Sequence, residues 1–150
     1  MKVVFTPEAE RDIERAAYIQ VVSNRLKQRY DNVIFEYGTD LYAIQSNGKW
    51  GLADINGDEL IPPCYDWMAD SFVEDMCAVG INTEGIGYIN KQGEEVVKPM
   101  YEEASDFYKG FAAVRLNGKW GAIDSHGDVV EPFIHDTPGT KAGNKIWVCQ

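Results

Sequence analysis

The stretch Asn47-Gly48-Lys49-Trp50-Gly51, NGKWG, occurs again as residues 117–121. The two copies contain two of the four tryptophans in a chain of 150 residues. An Asn-Gly pair between two apolar runs is typical of a two-residue type I′ hairpin turn, in which both central residues have positive φ. We therefore interpret NGKWG as a structural joint of a β-hairpin rather than as a site of chemistry.

A third, degenerate copy lies between the two identical ones. The aligned stretches are KWGLADINGDELIPPCYD at 49–66, GIGYINKQGEEVVKPMYE at 85–102 and KWGAIDSHGDVVEPFIHD at 119–136. The second glycine of the motif falls at Gly51, Gly87 and Gly121, at steps of 36 and 34 residues. Self-similarity at such a period indicates a repeat fold. The middle copy has Ile86 in place of tryptophan and keeps the apolar character of the position.

Each unit is predicted to be a three-stranded antiparallel meander. A strand leads into the Asn-Gly turn, the Trp-Gly strand follows, and a turn of Asp or Asn with a later glycine leads to the last strand. A proline just past that strand is expected to limit its pairing. The glycine after the tryptophan leaves room for a neighbouring backbone or ring. The turn glycines are Gly57, Gly93 and Gly127, and the prolines are Pro63, Pro99 and Pro132.

The pattern of apolar strand, NGKWG, Asp or Asn, glycine, proline and Tyr-Asp resembles the WG-repeat (KWG-repeat) family over about residues 30–136. The resemblance implies a mainly β, largely bacterial repeat protein with no catalytic residue in the repeat. We expect a mainly β fold with one N-terminal helix, its three meanders arranged as a solenoid or a propeller-like array and its tryptophans packed in the interior. The residues assigned to the repeat framework are Trp50, Gly51, Gly57, Ile86, Gly87, Gly93, Trp120, Gly121 and Gly127.

Residues 1–30 are predicted to form an N-terminal strand and helix that cap a repeat body at 31–150, within a single compact domain. Thr6 is a candidate N-cap and Pro7 suits the first helical position. The apolar positions at helical spacing are Ala9, Ile13, Ala16, Ala17 and Val21. The closing NKIWVCQ at 144–150 is expected to add a capping strand, and a separate binding role for the helix stays open. Residues 1–19 also resemble the opening of RelE/ParE-type toxins, but no function follows because the later toxin strands have no counterpart.

The charge distribution favours a basic protein partner. The net charge is −10, and because residues 1–30 hold six basic against four acidic residues, the remainder carries −12. An acidic body repels phosphate backbones, so nucleic-acid binding is not expected. No apolar run is long enough for a membrane span or an export signal, and three cysteines without a CxxC pair favour reduced thiols, so we expect no membrane association and a cytoplasmic location.

No pattern of residues predicts catalysis, a cofactor or a metal. His126 fills a turn position and His135 lies at a repeat joint, without the ligand spacing of a zinc site. The stretch DINGDE at 54–59 has Glu59 where a calcium loop needs glycine. Cys64 and Cys77 lie beside apolar residues and are expected to pack as small hydrophobes. The chain is therefore predicted not to be an enzyme.

The candidate partner site is the stretch where one unit departs from the others. YDWMAD at 65–70 corresponds to YEEASD at 101–106, so an indole and a thioether replace Glu103 and Ala104. A tryptophan surrounded by acids has the composition of a hot spot for a basic partner. The predicted site residues are Trp67, Met68, Asp66, Asp70, Glu74 and Asp75. The alternative is that Trp67 packs onto the N-terminal helix.

These observations predict a non-catalytic protein-binding module, with an inhibitor or immunity protein that covers a basic toxin or nuclease as its specific form. The alternative is a small-ligand sensor that uses the aromatic residues as a pocket. The oligomeric state and the identity of the partner stay open.

Overall fold

The protein is described from a computed structural model. The backbone is described for residues 7–36, 38–142 and 145–149, and the side chains for residues 14–36 and 38–139. The expected strand at residues 3–5 and the N-cap at Thr6 lie outside the described residues. Among the helical residues described, none forms a segment long and apolar enough to cross a bilayer.

Three antiparallel sheets of four strands follow one N-terminal helix, which confirms the predicted repeat fold. Helix α1 spans Pro7–Lys27. Sheet 1 contains β1 (Asn32–Glu36), β2 (Leu41–Ser46), β3 (Lys49–Ala53) and β4 (Glu59–Tyr65). Sheet 2 contains β5 (Trp67–Met68), β6 (Met76–Ile81), β7 (Gly85–Asn90) and β8 (Glu95–Tyr101). Sheet 3 contains β9 (Glu103–Ala104), β10 (Phe111–Leu116), β11 (Lys119–Asp124) and β12 (Val129–His135), and β13 (Gly139–Ala142) pairs with β14 (Lys145–Cys149).

Both NGKWG stretches form the predicted hairpin turn. Asn47 and Gly48 have φ values of 54° and 78°, and Asn117 and Gly118 have 52° and 81°. Two successive positive φ values define a type I′ turn, whose twist matches that of the flanking strands. The turn therefore sets the register in which Gln45 lies opposite Trp50 and Arg115 lies opposite Trp120.

Each unit has one more strand than the three-stranded meander predicted from the sequence. The additional strand precedes the other three, and in sheets 2 and 3 it is only two residues long. The three prolines also lie inside the last strand of each unit rather than just past it. They are tolerated there because that strand is at the edge of its sheet and is bulged, so that a missing N–H removes no ladder bond.

The glycine of the Trp-Gly pair faces the bulge of the last strand. A Cβ atom on Gly51 would lie 2.8 Å from both the Pro62 carbonyl carbon and the Pro63 nitrogen. On Gly121 it would lie 2.6 Å from the Glu131 carbonyl oxygen. The register between β3 and β4 shifts at this point, and the same shift occurs in the other two sheets. Only a residue without a side chain permits this approach, which confirms that the glycine makes room for a neighbouring backbone.

An ion pair between the lysine of NGKWG and the acid of the Tyr-Asp joint connects the start of the Trp-Gly strand to the end of the last strand. The Lys49 ammonium pairs with the Asp66 carboxylate, and Lys119 pairs with Asp136 in the same way. The second carboxylate oxygen of Asp66 accepts a hydrogen bond of 2.6 Å from the Asn82 amide, in the hairpin turn of the next sheet. The acid therefore joins two successive units. Equivalent bonds run from the Asn47 amide to Asp31 and from the Gly118 amide to Glu102.

The hydrophobic core is divided into three clusters, each between two successive elements of the stack. Between helix α1 and sheet 1 the buried residues are Ile19, Val22, Leu26, Tyr30, Tyr42, Ile44 and Ala53. Between sheets 1 and 2 they are Leu41, Leu52, Ile61, Tyr65, Cys77, Val79 and Ile89. Between sheets 2 and 3 they are Met76, Tyr88, Val97, Tyr101, Phe107, Ala112, Val114 and Ile123. Because side chains alternate along a strand, sheet 2 sends Tyr88 to one cluster and Ile89 to the other.

The tryptophans contribute less to this interior than predicted. Trp50 and Trp120 occupy the same register position in their sheets, and both are half-buried. Trp50 packs against the cluster between sheets 1 and 2. The largest fully buried side chains are instead Tyr42, in the cluster between helix α1 and sheet 1, and Tyr88, in the cluster between sheets 2 and 3.

Helix α1 packs on sheet 1 through a different face from the one predicted. Ala16, Ala17 and Val21 are exposed, whereas Ile19, Val22 and Leu26 are buried against the sheet. The side chains of Ala9 and Ile13, also predicted for this face, lie outside those described. The larger aliphatic side chains remove more apolar surface from water, so they decide which face docks. At the other end of the stack, β13 lies near β10 and β11, and β14 lies near β12. The division into residues 1–30 and 31–150 stays a prediction.

The close approach at the Trp-Gly glycine generates a prediction about stability. We expect Gly51→Ala to lower the free energy of unfolding by about 3 kcal/mol or more, because the added methyl group overlaps backbone atoms that cannot move independently. Chemical denaturation measures the change. Gly38→Ala is the control, since nothing lies within 4 Å of that Cβ, and it should stay within about 0.5 kcal/mol. Equal effects of the two substitutions would contradict the proposed role of the glycine.

Candidate functional site

The six residues of the predicted partner site do not form one surface. Trp67 lies flat on Gly80, the residue opposite it in the ladder between β5 and β6. Met68 points to the other side and packs against the cluster between sheets 1 and 2. Asp70 is exposed at the end of the same segment. The structure thus places Trp67 and Met68 on opposite faces, as strand alternation requires.

The other three acids of the predicted site have partners within the stack. Asp66 binds Lys49 and the Asn82 amide. Glu74 accepts hydrogen bonds of 2.6 and 2.7 Å from the Lys109 and Gly110 amides, in a turn of sheet 3. The Asp75 carboxylate lies 2.8 Å from the Lys91 ammonium. These acids therefore stabilise contacts between and within units.

The presence of tryptophan at position 67, where the other units have polar residues, has a packing explanation that is not apparent from the sequence. The same cross-strand position holds a matched pair in every sheet. In sheet 1 the Asn32 side chain donates a hydrogen bond of 2.5 Å to Gln45, and in sheet 3 Arg115 lies 2.9 Å from Glu103. In sheet 2 an indole covers a glycine. Trp67 keeps 36% of its surface exposed, so it covers Gly80 and also presents one face to solvent. The alternative packing onto helix α1 is replaced by this contact.

A cleft of about 360 Å³ lies between sheet 1 and the first segment of sheet 2. We call it the inter-sheet cleft. Its lining residues are Ile34, Phe35, Glu36, Ala43, Trp50, Leu52, Met68, Ala69, Asp70, Phe72 and Cys77. Two members of the predicted site, Met68 and Asp70, contribute to it. The sequence pattern around Trp67 indicated this region of the chain, but only the packing of the two sheets creates the cleft.

A row of acidic turns forms a second candidate surface, which we call the turn ridge (residues 54–59, 90–95 and 124–128). In each turn a side chain accepts hydrogen bonds from two following amides, as Asp54 does from Asn56 and Asp58, both at 2.9 Å. The turns lie in sequence along the stack because Gly93 contacts Leu60 and Gly127 contacts Val96, each in the preceding unit. The ridge contains one lysine, Lys91, and its acids are Asp54, Asp58, Glu59, Glu94, Glu95, Asp124 and Asp128.

Two tyrosine-glutamate hydrogen bonds connect turns of the ridge to the element that precedes them in the stack. Tyr30 donates to Glu59 at 2.5 Å, and Tyr65 donates to Glu95 at 2.7 Å. Burial is the largest cause that raises the pKa of Tyr65, and the Glu95 carboxylate raises it further. The third unit has Val129 at the corresponding position, so Tyr101 stacks on Phe133 instead, with 5.9 Å between ring centroids.

Each histidine forms a hydrogen bond with an acid of its own unit, and of the two cysteines expected to pack as small hydrophobes, Cys77 is buried and Cys64 is not. The exposed His126 donates its backbone amide to Asp124, as expected of a turn residue, and the His135 Nε2 atom lies 2.8 Å from Glu131. Cys77 is buried, and burial raises the pKa of its thiol to about 12. Cys64 is exposed, and partial desolvation followed by the nearby Glu95 raises the pKa of its thiol. Within the side chains described, no group of three His, Cys, Asp or Glu residues is placed to hold a metal.

Comparison with known protein families identifies the repeat. A family model described as WG containing repeat matches residues 50–82 and 86–120. The repeats at residues 50–82 and 86–120 belong to the WG-repeat family. The matched ranges begin at the Trp-Gly strands and include the degenerate middle copy, so the WG repeat accommodates Ile86 in place of tryptophan. Searches of curated proteins and of solved structures found no match.

The Trp67–Gly80 pair generates a prediction about coupling between two residues. We expect Trp67→Glu and Gly80→Arg each to lower the free energy of unfolding, the second more strongly because its side chain must displace the indole. The double variant copies the ion pair of sheet 3 and should recover part of the loss, with a coupling energy of about 1–3 kcal/mol. A double-mutant cycle by chemical denaturation measures it. Strictly additive effects would show that the two residues do not form a matched pair.

The Lys49–Asp66 pair generates a prediction about acid stability. The hydrogen bond from Lys49 is the largest cause that lowers the pKa of Asp66, followed by the Asn82 amide. The pair therefore stabilises the fold above the ordinary carboxyl pKa of about 3.9, and this stabilisation is lost as the pH falls through the lowered value. We expect Lys49→Met to lower the melting temperature near neutral pH and to lose that difference progressively as the pH falls below the ordinary carboxyl value. The exposed Lys98→Met serves as control, and a deficit that persists in acid would contradict the assignment.

Proposed function

We propose that this WG-repeat protein is a non-catalytic, cytoplasmic module that binds a protein with a basic surface. The observation that carries the proposal is the turn ridge. Asp58, Glu94 and Asp128 are exposed, one in each unit, and none forms a side-chain ion pair within the described part of the chain. Repetition at the period of the fold produces an extended surface with an excess of negative charge, which raises the association rate of an oppositely charged partner.

The chemistry of the ridge favours a protein partner over a single small ion. The three turns belong to three separate sheets, so a partner that contacts all of them must extend along the stack. Repeat proteins use such extended surfaces for binding. An inhibitor or immunity protein that covers a basic toxin or nuclease is the specific form that suits the size and charge of the chain. The absence of a recognisable catalytic pattern in the sequence supports a role in binding.

A small-ligand sensor is the second candidate, and the inter-sheet cleft favours it. Ligand pockets have volumes of about 300–1,000 Å³ and are lined mainly by apolar and aromatic side chains. The cleft, at about 360 Å³, lies at the lower end of that range. A thermal-shift screen of metabolites separates the two candidates, because a ligand that binds the folded state raises the melting temperature by mass action.

The charge of the ridge provides the test of the proposed function. The immobilised protein is exposed to lysate of the source cells at low and at high ionic strength. We expect a basic protein to be retained at low salt and released at high salt, since the Debye length shortens as salt rises. The variant Asp58→Asn/Glu94→Gln/Asp128→Asn should bind that protein roughly tenfold more weakly.

The matched control removes the same number of charges elsewhere. Glu14, Glu84 and Asp106 are exposed acids outside the ridge, and Glu14→Gln/Glu84→Gln/Asp106→Asn should retain most of the binding. Equal losses in the two triple variants would show that total charge, and not the ridge, governs binding. Capture of no basic protein at low salt would overturn the proposal.

A further inference from the structure

We infer that the inter-sheet cleft receives an arginine side chain of the protein partner. This inference rests on the proposed function and adds to it a defined anchoring site. The cleft is separate in sequence from the turn ridge, because its lining residues come from residues 34–52 and 68–77.

The cleft exists because sheet 1 lacks a ring that sheet 2 possesses. Leu52 of sheet 1 corresponds to Tyr88 of sheet 2 in the repeat alignment. The Tyr88 ring is fully buried and packs edge-on against Phe107, with 4.8 Å between the ring centroids. Leu52 is too short to make the equivalent contact with Phe72. Phe72 is therefore only half-buried, whereas Phe107 is 2% exposed. The same junction is therefore closed between sheets 2 and 3 and open between sheets 1 and 2.

The walls of the cleft suit a planar cation. Three aromatic residues contribute to the lining, Phe35, Trp50 and Phe72. The lining also includes two carboxylates, those of Glu36 and Asp70, and no lysine or arginine. Aromatic faces attract cations, and a guanidinium group both stacks on rings and forms paired hydrogen bonds with carboxylates. An apolar ligand would leave the Asp70 carboxylate without a partner, and an anion would be repelled by both carboxylates.

The carboxylates differ in how freely they can bind an incoming group. Glu36 is half-buried, and one of its oxygens accepts a hydrogen bond from the Phe72 amide at 3.4 Å. Asp70 is exposed and its side chain has no hydrogen bond or ion pair among the described residues. Asp70 is therefore the principal counter-ion for the arginine, while Glu36 is oriented by the backbone of the facing segment.

The size of the cleft matches one side chain rather than a large ligand. At about 360 Å³ it is near the lower limit for small-molecule pockets. Arginine carries its charge on a flexible apolar stem, which can lie along apolar walls while the charged end reaches the carboxylates. Anchoring residues in protein interfaces are enriched in arginine for these reasons. The net charge of −10 favours the approach of a chain segment that presents one.

The test uses a five-residue peptide, acetyl-Ala-Ala-Arg-Ala-Ala-amide, titrated into the isotope-labelled full chain. The Trp50 indole N–H resonance, assigned from Trp50→Phe, reports occupation of the cleft. We expect a saturable shift of this resonance with the arginine peptide and at least a fivefold weaker effect when citrulline, the neutral isostere, replaces arginine. Leu52→Tyr places in the cleft the ring that sheet 2 has at this position, and it should reduce binding at least fivefold.

Asp70→Asn and Asp106→Asn form the matched pair of variants. Both residues are exposed and occupy equivalent positions in successive units, but only Asp70 lines the cleft. Asp70→Asn should weaken the peptide at least fivefold, and Asp106→Asn should leave the affinity unchanged. Because these are surface substitutions, their comparison stays valid even if Leu52→Tyr fails to fold.

Four results would overturn the inference. Equal binding of the arginine and citrulline peptides would show that charge is not read, and equal effects of the two Asn variants would place the peptide elsewhere. Tighter binding of free arginine than of the peptide would assign the cleft to a small ligand. Asp70→Asn is also tested in the capture experiment. If it retains a basic protein at low salt as well as the unaltered protein does, the cleft is not part of the interface and the proposed function is unaffected.

Discussion

The contact on which each unit depends is the close approach between the glycine of the Trp-Gly pair and the last strand of the same sheet. At Gly51, Gly87 and Gly121 the bulged backbone of that strand occupies the space that a side chain would need. The bulge accommodates the proline and turns the strand so that its final tyrosine or histidine lies opposite the position of the tryptophan. From there the chain passes directly into the next sheet.

The hydrophobic core of this fold lies only between successive units. Each cluster of buried residues takes side chains from two successive elements, and no sheet can bury its faces alone. Stability in such a stack is approximately a sum over units and their interfaces. Helix α1 takes the place of a preceding unit, since its Val22 side chain meets the turn glycine of sheet 1 as Leu60 and Val96 meet those of sheets 2 and 3.

At one cross-strand position the three units differ in matched pairs. The cross-strand pairs Asn32–Gln45, Trp67–Gly80 and Glu103–Arg115 differ in chemistry but each satisfies itself. The replacement of Tyr88 by Leu52 is different, because its partner Phe72 does not compensate, and a cleft results.

The sequence by itself determined the repeat, its period and the type I′ hairpin turns, since these depend on local φ values and on spacing along the chain. Helix α1 could also be predicted, but the face that docks could not, because several apolar stripes are possible and the sheet selects the one with the larger side chains. The contact between Trp67 and Gly80 could not be predicted, because the two residues are thirteen apart in sequence and the register that joins them involves two strands. Only the tertiary structure decided that Asp66, Glu74 and Asp75 bind within the stack, and that a cleft opens beside Trp50, because these depend on how separate sheets pack against each other.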